Sequence, residues 1–283
     1  MGFVEYISSK QWAVAGSIIL PLVFFLSLCI LRDTTPETQS TFQNLKETAF
    51  PESYRGLPLE VGTALARYVS SKVIPQQTFD EIMMTVRVLA ARGPCNFLVF
   101  GLGFDSVMWK TLNHGGRTVF LEETEDWIKQ VTGKNPDLEA YLVRYNTKLM
   151  DAGRLMDHAR KNRNGKCRPV QAIRNSTCKI ALSYLPKKLY EVDWDVIMVD
   201  APRGYFAEAP GRMAAIFSAS VMARSRKNGT TDIYVHDVER PVERQYCEEF
   251  LCRANLVEEA PTKRLWHFRL APQLSGSSSK SFC

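Results

Sequence analysis

The chain has 283 residues, 45% of them hydrophobic, and a formal charge of +6. That length suits one α/β domain behind a short stalk. It carries no Lys/Arg-rich run and no basic stripe interleaved with aromatics, which argues against nucleic acid as a partner.

Taken in chain order, the first distinctive segment is Ala13 to Leu31, 19 uncharged residues between Lys10 and Arg32. At roughly 1.5 Å per residue a helix of that length spans a bilayer core. No A-x-A-like cleavage site follows, so the segment reads as an uncleaved anchor rather than a signal peptide. Residues 1–12 then form a cytosolic tail, and 32–72 a polar stem with Pro36, Pro51 and Pro58, loosely ordered in its first part. Of seven cysteines, Cys29 lies in the anchor; the remaining six are an even number, compatible with disulfides in an oxidising lumen. Asn175-Ser176-Thr177 and Asn228-Gly229-Thr230 are glycosylation sequons. Together these point to a single-pass type II membrane protein with its C-terminal part in the secretory lumen.

Residues 73–271 read as one domain of alternating helices and strands. Thr78 and Glu81 form a capping box that opens a helix, with Ile82, Val86 and Leu89 on one face and Arg92-Gly93-Pro94 at its end. A strand over Phe97–Phe100 breaks into Gly101-Leu102-Gly103, and Asp105-Ser106 opens the next helix. Thr118–Leu121 is a second strand ending on Glu122-Glu123, followed by a helix over 125–131. A third strand is expected at 140–145 and a helical stretch at 149–161, then a loop over 162–166. The run from Trp194 to Asp200 is a buried strand, 211–224 a helix, and 231–235 a strand ending on His236-Asp237. A helix over 241–251, a strand over 264–270 and a flexible, Ser-rich tail over 272–283 complete the chain. Alternation of this kind gives an α/β fold with a mainly parallel, doubly wound sheet.

Ligands of such sheets sit beyond the strands' carboxyl ends. Gly101 and Gly103 would let the backbone approach a ligand after the first strand. Glu122 or Glu123, about 20 residues on, would accept hydrogen bonds from ribose hydroxyls. Asp200, His236 and Asp237 end the next two strands on the same rim. The third glycine of the dinucleotide fingerprint is replaced by Ser106, so this pattern by itself indicates an adenosine-type ligand and no more.

The segments NFLVFGLGFDSVMW, NHGGRTVFLEE, WDVIMVDAPRGYFAEAPGRMAAIFSASVMAR, VHDVER and RLWHF resemble the plant DUF579 family over about Pro75 to Phe268. Its characterised members are Golgi O-methyltransferases that methylate glucuronic acid side chains of cell-wall polysaccharides, with S-adenosylmethionine as donor. GYFAEAPGRMAAIFS and RLWHF are most similar to the glucuronoxylan 4-O-methyltransferase branch. A second branch acts on arabinogalactan, and a third affects xylan without an assigned activity. Phe104 stands where relatives often carry His or Tyr, and Arg203 where they carry Thr or Lys.

The resemblance implies a Rossmann-like methyltransferase fold and a role for each rim residue. Gly101 and Gly103 would make room for the donor, Asp105 and Ser106 would offer backbone N–H groups to its carboxylate, and Glu122 or Glu123 would hold its ribose. Asp200 or His236 would act as general base; alternatively Asp200 and Asp237 would bind a divalent cation that acidifies the sugar hydroxyl. Arg203, Arg212 and Arg240 are candidates for the acceptor's carboxylate, and Tyr205 for stacking on a sugar face. Without the family likeness, a nicotinamide oxidoreductase would use the same turn and acid. A non-catalytic scaffold of xylan synthesis is a third reading.

Overall fold

Four runs of apolar residues, NFLVF, RTVFLE, VIMV and TDIYVH, form the centre of a sheet: β1 (Asn96–Phe100), β2 (Arg117–Glu122), β4 (Val196–Val199) and β5 (Thr231–His236). They are buried on both faces, which explains why they read as nearly continuous apolar strings rather than alternating ones. The structure is a computed structural model and describes residues 58–72, 77–273 and 281–283. With β3 (Glu139–Leu142), β6 (Leu256–Glu259) and β7 (Leu265–Leu270), the strand order is β3-β2-β1-β4-β5-β7-β6. All neighbouring pairs are parallel from β3 to β5; β7 runs antiparallel to both β5 and β6.

Successive side chains of each central strand enter different cores. Leu98, Phe100, Ile197, Val199, Ile233 and Val235 pack under α5 (Ala152–Lys161), α6 (Met213–Ser225) and α7 (Pro241–Phe250). Phe97, Val99, Phe120, Met198 and Tyr234 face α1 (Leu59–Lys72), α2 (Phe79–Arg92) and α3 (Ser106–Leu112), while α4 (Glu125–Lys134) adds Trp127 and Ile128 to that layer. Helices therefore cover both faces, as a doubly wound sheet requires. The chain turns outward to opposite sides from β1 and β4, so the crevice at their adjacent carboxyl ends is the topological switch point.

Several expectations need adjustment. The end of the stem, 59–72, is a helix that buries Ala66 and Val69 against Ile82 and Val86, because its apolar residues recur at helical spacing. The third strand covers Glu139–Leu142 and is only half-buried, as befits an edge. The polar edge strand β6 has no apolar alternation to announce it. Residues 162–195 contain only short 3-10 turns and are stapled by a Cys167–Cys178 disulfide. A second disulfide, Cys252–Cys283, ties down the chain's end; Cys95 and Cys247 are buried free thiols. The 272–283 tail thus ends in a docked segment: Phe282 is buried against Phe217 and Phe250, and its carbonyl accepts from Arg224 at 2.9 Å. The expected anchor over 13–31 lies outside the described residues; among those described, no helix is long and apolar enough to cross a membrane.

Phe282→Ala should destabilise the domain by about 3 kcal/mol in urea unfolding, the lower end for emptying a buried aromatic site. A loss within error of zero would mean that the chain's end contributes nothing to the core.

Candidate active site

The strand ends build the crevice from one side to the other. After β1, Gly101 adopts φ 123°, a conformation favoured by glycine, and a Cβ there would meet that of Ala201 at 3.4 Å. A Cβ on Gly103 would lie 2.5 Å from Asp105 Oδ1. Asp105 does not cap α3 with its side chain; it turns to accept from Trp109 Nε1 at 2.8 Å. Burial and the nearby Asp200 charge raise its pKa to about 6. Ser106 is buried, with its hydroxyl unpartnered. Together with Glu122, Glu123, Trp127, Asp200 and Arg203, these residues line a cavity of about 670 Å³.

At the end of β2 the two glutamates have different surroundings. Glu122 is 8% exposed and accepts the Thr124 N–H at 2.9 Å through Oε1; burial shifts its pKa upward. Glu123 is bound to Arg203, whose Nε and backbone N–H donate to it at 2.9 and 3.2 Å. Both glutamates use Oε1 for these bonds; Glu123 is tied to Arg203, whereas Glu122 is held only by its own turn and has no cationic partner among the described residues.

Asp200 stands between His236 and the crevice. His236 Nδ1 lies 3.0 Å from Asp200 Oδ1, and its Nε2 lies 3.5 Å from Glu81 Oε2. Gln77 Nε2 donates to Asp200 Oδ2 at 2.9 Å. His236 is wholly buried and does not line the cavity. Burial opposes its charge, but Asp200, Glu81 and Asp237 outweigh it and raise its pKa to about 9. Burial likewise opposes ionisation of Asp200 and Glu81, and their cationic and hydrogen-bonding partners, His236 above all, hold both at about 2. The group is a buried carboxylate–imidazolium–carboxylate chain.

Arg212 locks this chain to the sheet. Its guanidinium donates to the carbonyls of His236 and Asp200 at 2.6 and 2.8 Å, and reaches Asp237 Oδ2 at 2.7 Å and Asp200 Oδ1 at 3.2 Å. Asp237, at φ 62°, turns its carboxylate under Arg240 and Arg264, each 3.0 Å away. The three arginines expected to meet a substrate thus separate. Arg212 is buried with both terminal nitrogens engaged within the protein, Arg240 is one-third exposed at the cavity wall, and Arg203 is exposed beside it. Tyr205 is 67% exposed at the cavity lip, and Phe104 stands opposite, edge-on to Trp127. Gln77, Glu81, Trp127 and Arg264 join the site without having been expected there from sequence. Glu81 carries a signal, its capping box, but only for the helix start, where its Oε2 also accepts the Thr78 N–H at 2.7 Å.

Asp200, Asp237 and His236 offer ligand atoms within 4.8 Å of one another, and Asp200 Oδ1 and Asp237 Oδ2 lack a well-formed hydrogen bond. The two carboxylates fit a hard divalent cation on chemistry. A cation there would compete with Arg212 for the same oxygens.

A doubly wound α/β domain with a nucleoside-sized crevice at its switch point, an acid after β2 and a buried acid–histidine pair after β4 and β5 belongs to the Rossmann-like class. The chain belongs to the IRX15/IRX15L/GXM family, whose model matches residues 80–268. It is 45% identical over 282 residues to glucuronoxylan 4-O-methyltransferase 2 of Arabidopsis thaliana, covering 99% of this chain and 95% of that protein. To glucuronoxylan 4-O-methyltransferase 3 of the same plant it is 51% identical over 227 residues, 80% of this chain and 74% of the relative. Arabinogalactan O-methyltransferase 1, also from that plant, is 43% identical over 282 residues, 97% of this chain and 96% of the relative.

The buried chain sets a pH window for stability. Its histidine is raised from 6.5 to about 9, so its contribution is complete below 6.5 and disappears as pH rises through 9. Glu81 and Asp200 are lowered from 4.5 and 3.8 to about 2, so their contribution is complete above 4.5 and disappears as pH falls toward 2. Urea unfolding should be hardest between pH 4.5 and 6.5 on account of this group. His236→Gln should flatten the decline between pH 6.5 and 9; an unchanged slope would show that the imidazole is not charged in the fold.

Proposed function

We propose that the protein is an S-adenosylmethionine-dependent O-methyltransferase that methylates O-4 of glucuronic acid side chains on glucuronoxylan, on a Rossmann-like methyltransferase fold. The observation that carries this reading is the meeting, in one crevice, of the Gly101–Gly103 turn, the available Glu122 carboxylate and the ionised Asp200. The names of relatives aligned over 99% and 80% of this chain support glucuronoxylan as the acceptor. Arabinogalactan is the competing acceptor, because a relative of similar identity is named for it.

When bound, the donor supplies a methyl already activated on a sulfonium, so what remains for the chain is to orient and deprotonate. Glu122 would accept hydrogen bonds from the donor's ribose hydroxyls, and the Gly101–Gly103 backbone would leave room for its methionine portion. Asp105, at the same turn and in the cavity lining, would meet the donor's ammonium. Asp200 accepts a hydrogen bond from the acceptor hydroxyl. A carboxylate with a pKa near 2 is a weak base for a free sugar hydroxyl. The oxygen would become strongly acidic as it takes the methyl and the sulfonium is released as a neutral thioether, so Asp200 would need to accept the proton only late, for which its basicity suffices. His236, sealed and cationic, aims Asp200 rather than collecting the proton itself. Arg212 is a positioning residue for the same carboxylate. Arg203 or Arg240, both partly exposed, can meet the uronate fork-to-fork, and Tyr205 and Phe104 offer faces to the sugar. If Asp200 and Asp237 held a divalent cation, it would add acidity to the hydroxyl.

In this reading the domain works in the Golgi lumen, tethered through residues 13–31. Two disulfides and the exposed Asn175 and Asn228 of the sequons support an oxidising, glycosylating compartment.

Incubation of the luminal domain with isotope-labelled donor and glucuronoxylan or arabinogalactan oligosaccharides tests the reaction. Label at O-4 of glucuronic acid on xylan is expected, and label on neither polymer would refute the enzymatic reading. Asp200→Asn should lower kcat on the order of a thousandfold while leaving donor affinity nearly unchanged. Glu122→Ala should weaken donor binding roughly ten- to a hundredfold, measured by calorimetry. The reverse pattern for either variant would contradict the assignment.

A further inference from the structure

A second cavity, about 850 Å³, lies away from the crevice, at the end of the sheet where β4 and β5 begin. Its walls are the 163–175 loop, the 187–193 segment leading into β4 and the end of α6. Lys187 and Arg226 in this wall are matched by Glu191 and Asp195, at 3.5 and 3.1 Å. Arg163, Arg168 and Arg174 are not: all three line the cavity, and none has a carboxylate within ion-pair distance among the described residues. Three unmatched guanidinium groups in one concave wall concentrate positive potential more than the same groups on a convex surface would.

The loop holding them is preorganised despite its lack of regular structure. The Cys167–Cys178 disulfide closes it around Arg168 and Arg174. Ile173 anchors it in the core. Ser225 Oγ, at the end of α6, both accepts from Gln171 N–H at 3.2 Å and donates to Gln171 O at 3.1 Å. Arginines on a fixed loop lose less freedom on binding than arginines on a mobile one. Tyr190 and Val192 give the cleft an apolar side suited to sugar faces, while the planar guanidinium forks suit carboxylates.

We infer that this cleft is a second, non-catalytic binding site for an acidic polysaccharide, taking uronate groups of the same polymer whose glucuronic acid side chains are methylated in the crevice. This rests on the proposed function for the identity of the polymer, not for the existence of the site. A β-strand of five or six residues spans roughly 17–20 Å, so the cleft and the crevice are separated by at least the depth of the sheet. A short oligosaccharide occupies one of them. A long chain bearing several uronates can engage both, and the second contact raises its effective concentration at the first.

The test compares wild type with Arg168→Ala/Arg174→Ala, two exposed positions outside the crevice. Unmethylated glucuronoxylan polymer and a short glucuronic acid-bearing oligosaccharide serve as acceptors, alongside direct polymer binding at low and high salt. The double variant should raise the KM for polymer roughly tenfold and lose most of the salt-sensitive polymer binding. The kcat, the KM for the oligosaccharide and the affinity for S-adenosylmethionine should stay at wild-type values. Unchanged polymer KM and polymer binding would overturn the cleft assignment while leaving the methyltransferase reading intact. Wild-type polymer binding lost in the double variant, with no methyl transfer to either acceptor, would support the cleft and refute the enzymatic reading.

Discussion

The site depends on a charge that the fold has sealed away from water. His236 stands between Glu81 and Asp200, and desolvation alone would favour its neutral form. It is the two carboxylates that hold it as an imidazolium, and it in turn holds them ionised. Taking one partner away leaves a buried charge without compensation, which is far costlier than the pair is stabilising. Arg212 extends the same logic to Asp237 and ties all of it to the backbone carbonyls at the ends of β4 and β5. Asp200 therefore meets the crevice in one geometry, with one oxygen fixed by Gln77 and the other by the imidazolium.

That arrangement explains how one rim can serve two ligands. The half of the sheet carrying β1 and β2 provides the glycine turn and Glu122, where the proposed function would hold a nucleoside and its amino-acid portion. The half carrying β4 and β5 provides the fixed carboxylate and the partly exposed guanidinium groups, where the proposed function would place an acidic sugar. At the switch point between β1 and β4 a Cβ on Gly101 would meet that of Ala201 at 3.4 Å, so the two halves share one wall. Orientation of two substrates supplies much of the acceleration that such a reaction needs, since the methyl arrives already activated.

How much of this is legible in the residues follows from the range of each interaction. The central strands and the acids ending them are readable, because apolar runs and strand-end residues are local signals. Gly101, Glu122, Asp200, His236 and Asp237 do lie on one rim, as their strand positions imply. Gln77 and Arg264 are not readable: Gln77 reaches Asp200 across 123 residues of sequence, and Arg264 looks like the start of a strand. Arg212 reads as a substrate contact because a helix-start arginine after an acidic strand end looks exposed; only packing reveals that its fork is engaged within the protein. The cysteine pairs and the docking of Phe282 likewise depend on loop paths that carry no periodic pattern. Helix 59–72 has the right spacing but sits in a polar context that resembles a stem.

The most direct measurement is a crystal structure of the α/β domain with S-adenosylhomocysteine and a glucuronic acid-bearing xylo-oligosaccharide. The nucleoside ribose should lie on Glu122, and the sugar's O-4 should be hydrogen-bonded to Asp200 and face the donor sulfur. A donor product bound away from the Gly101–Gly103 turn, or a uronate whose O-4 meets a residue other than Asp200, would contradict this geometry.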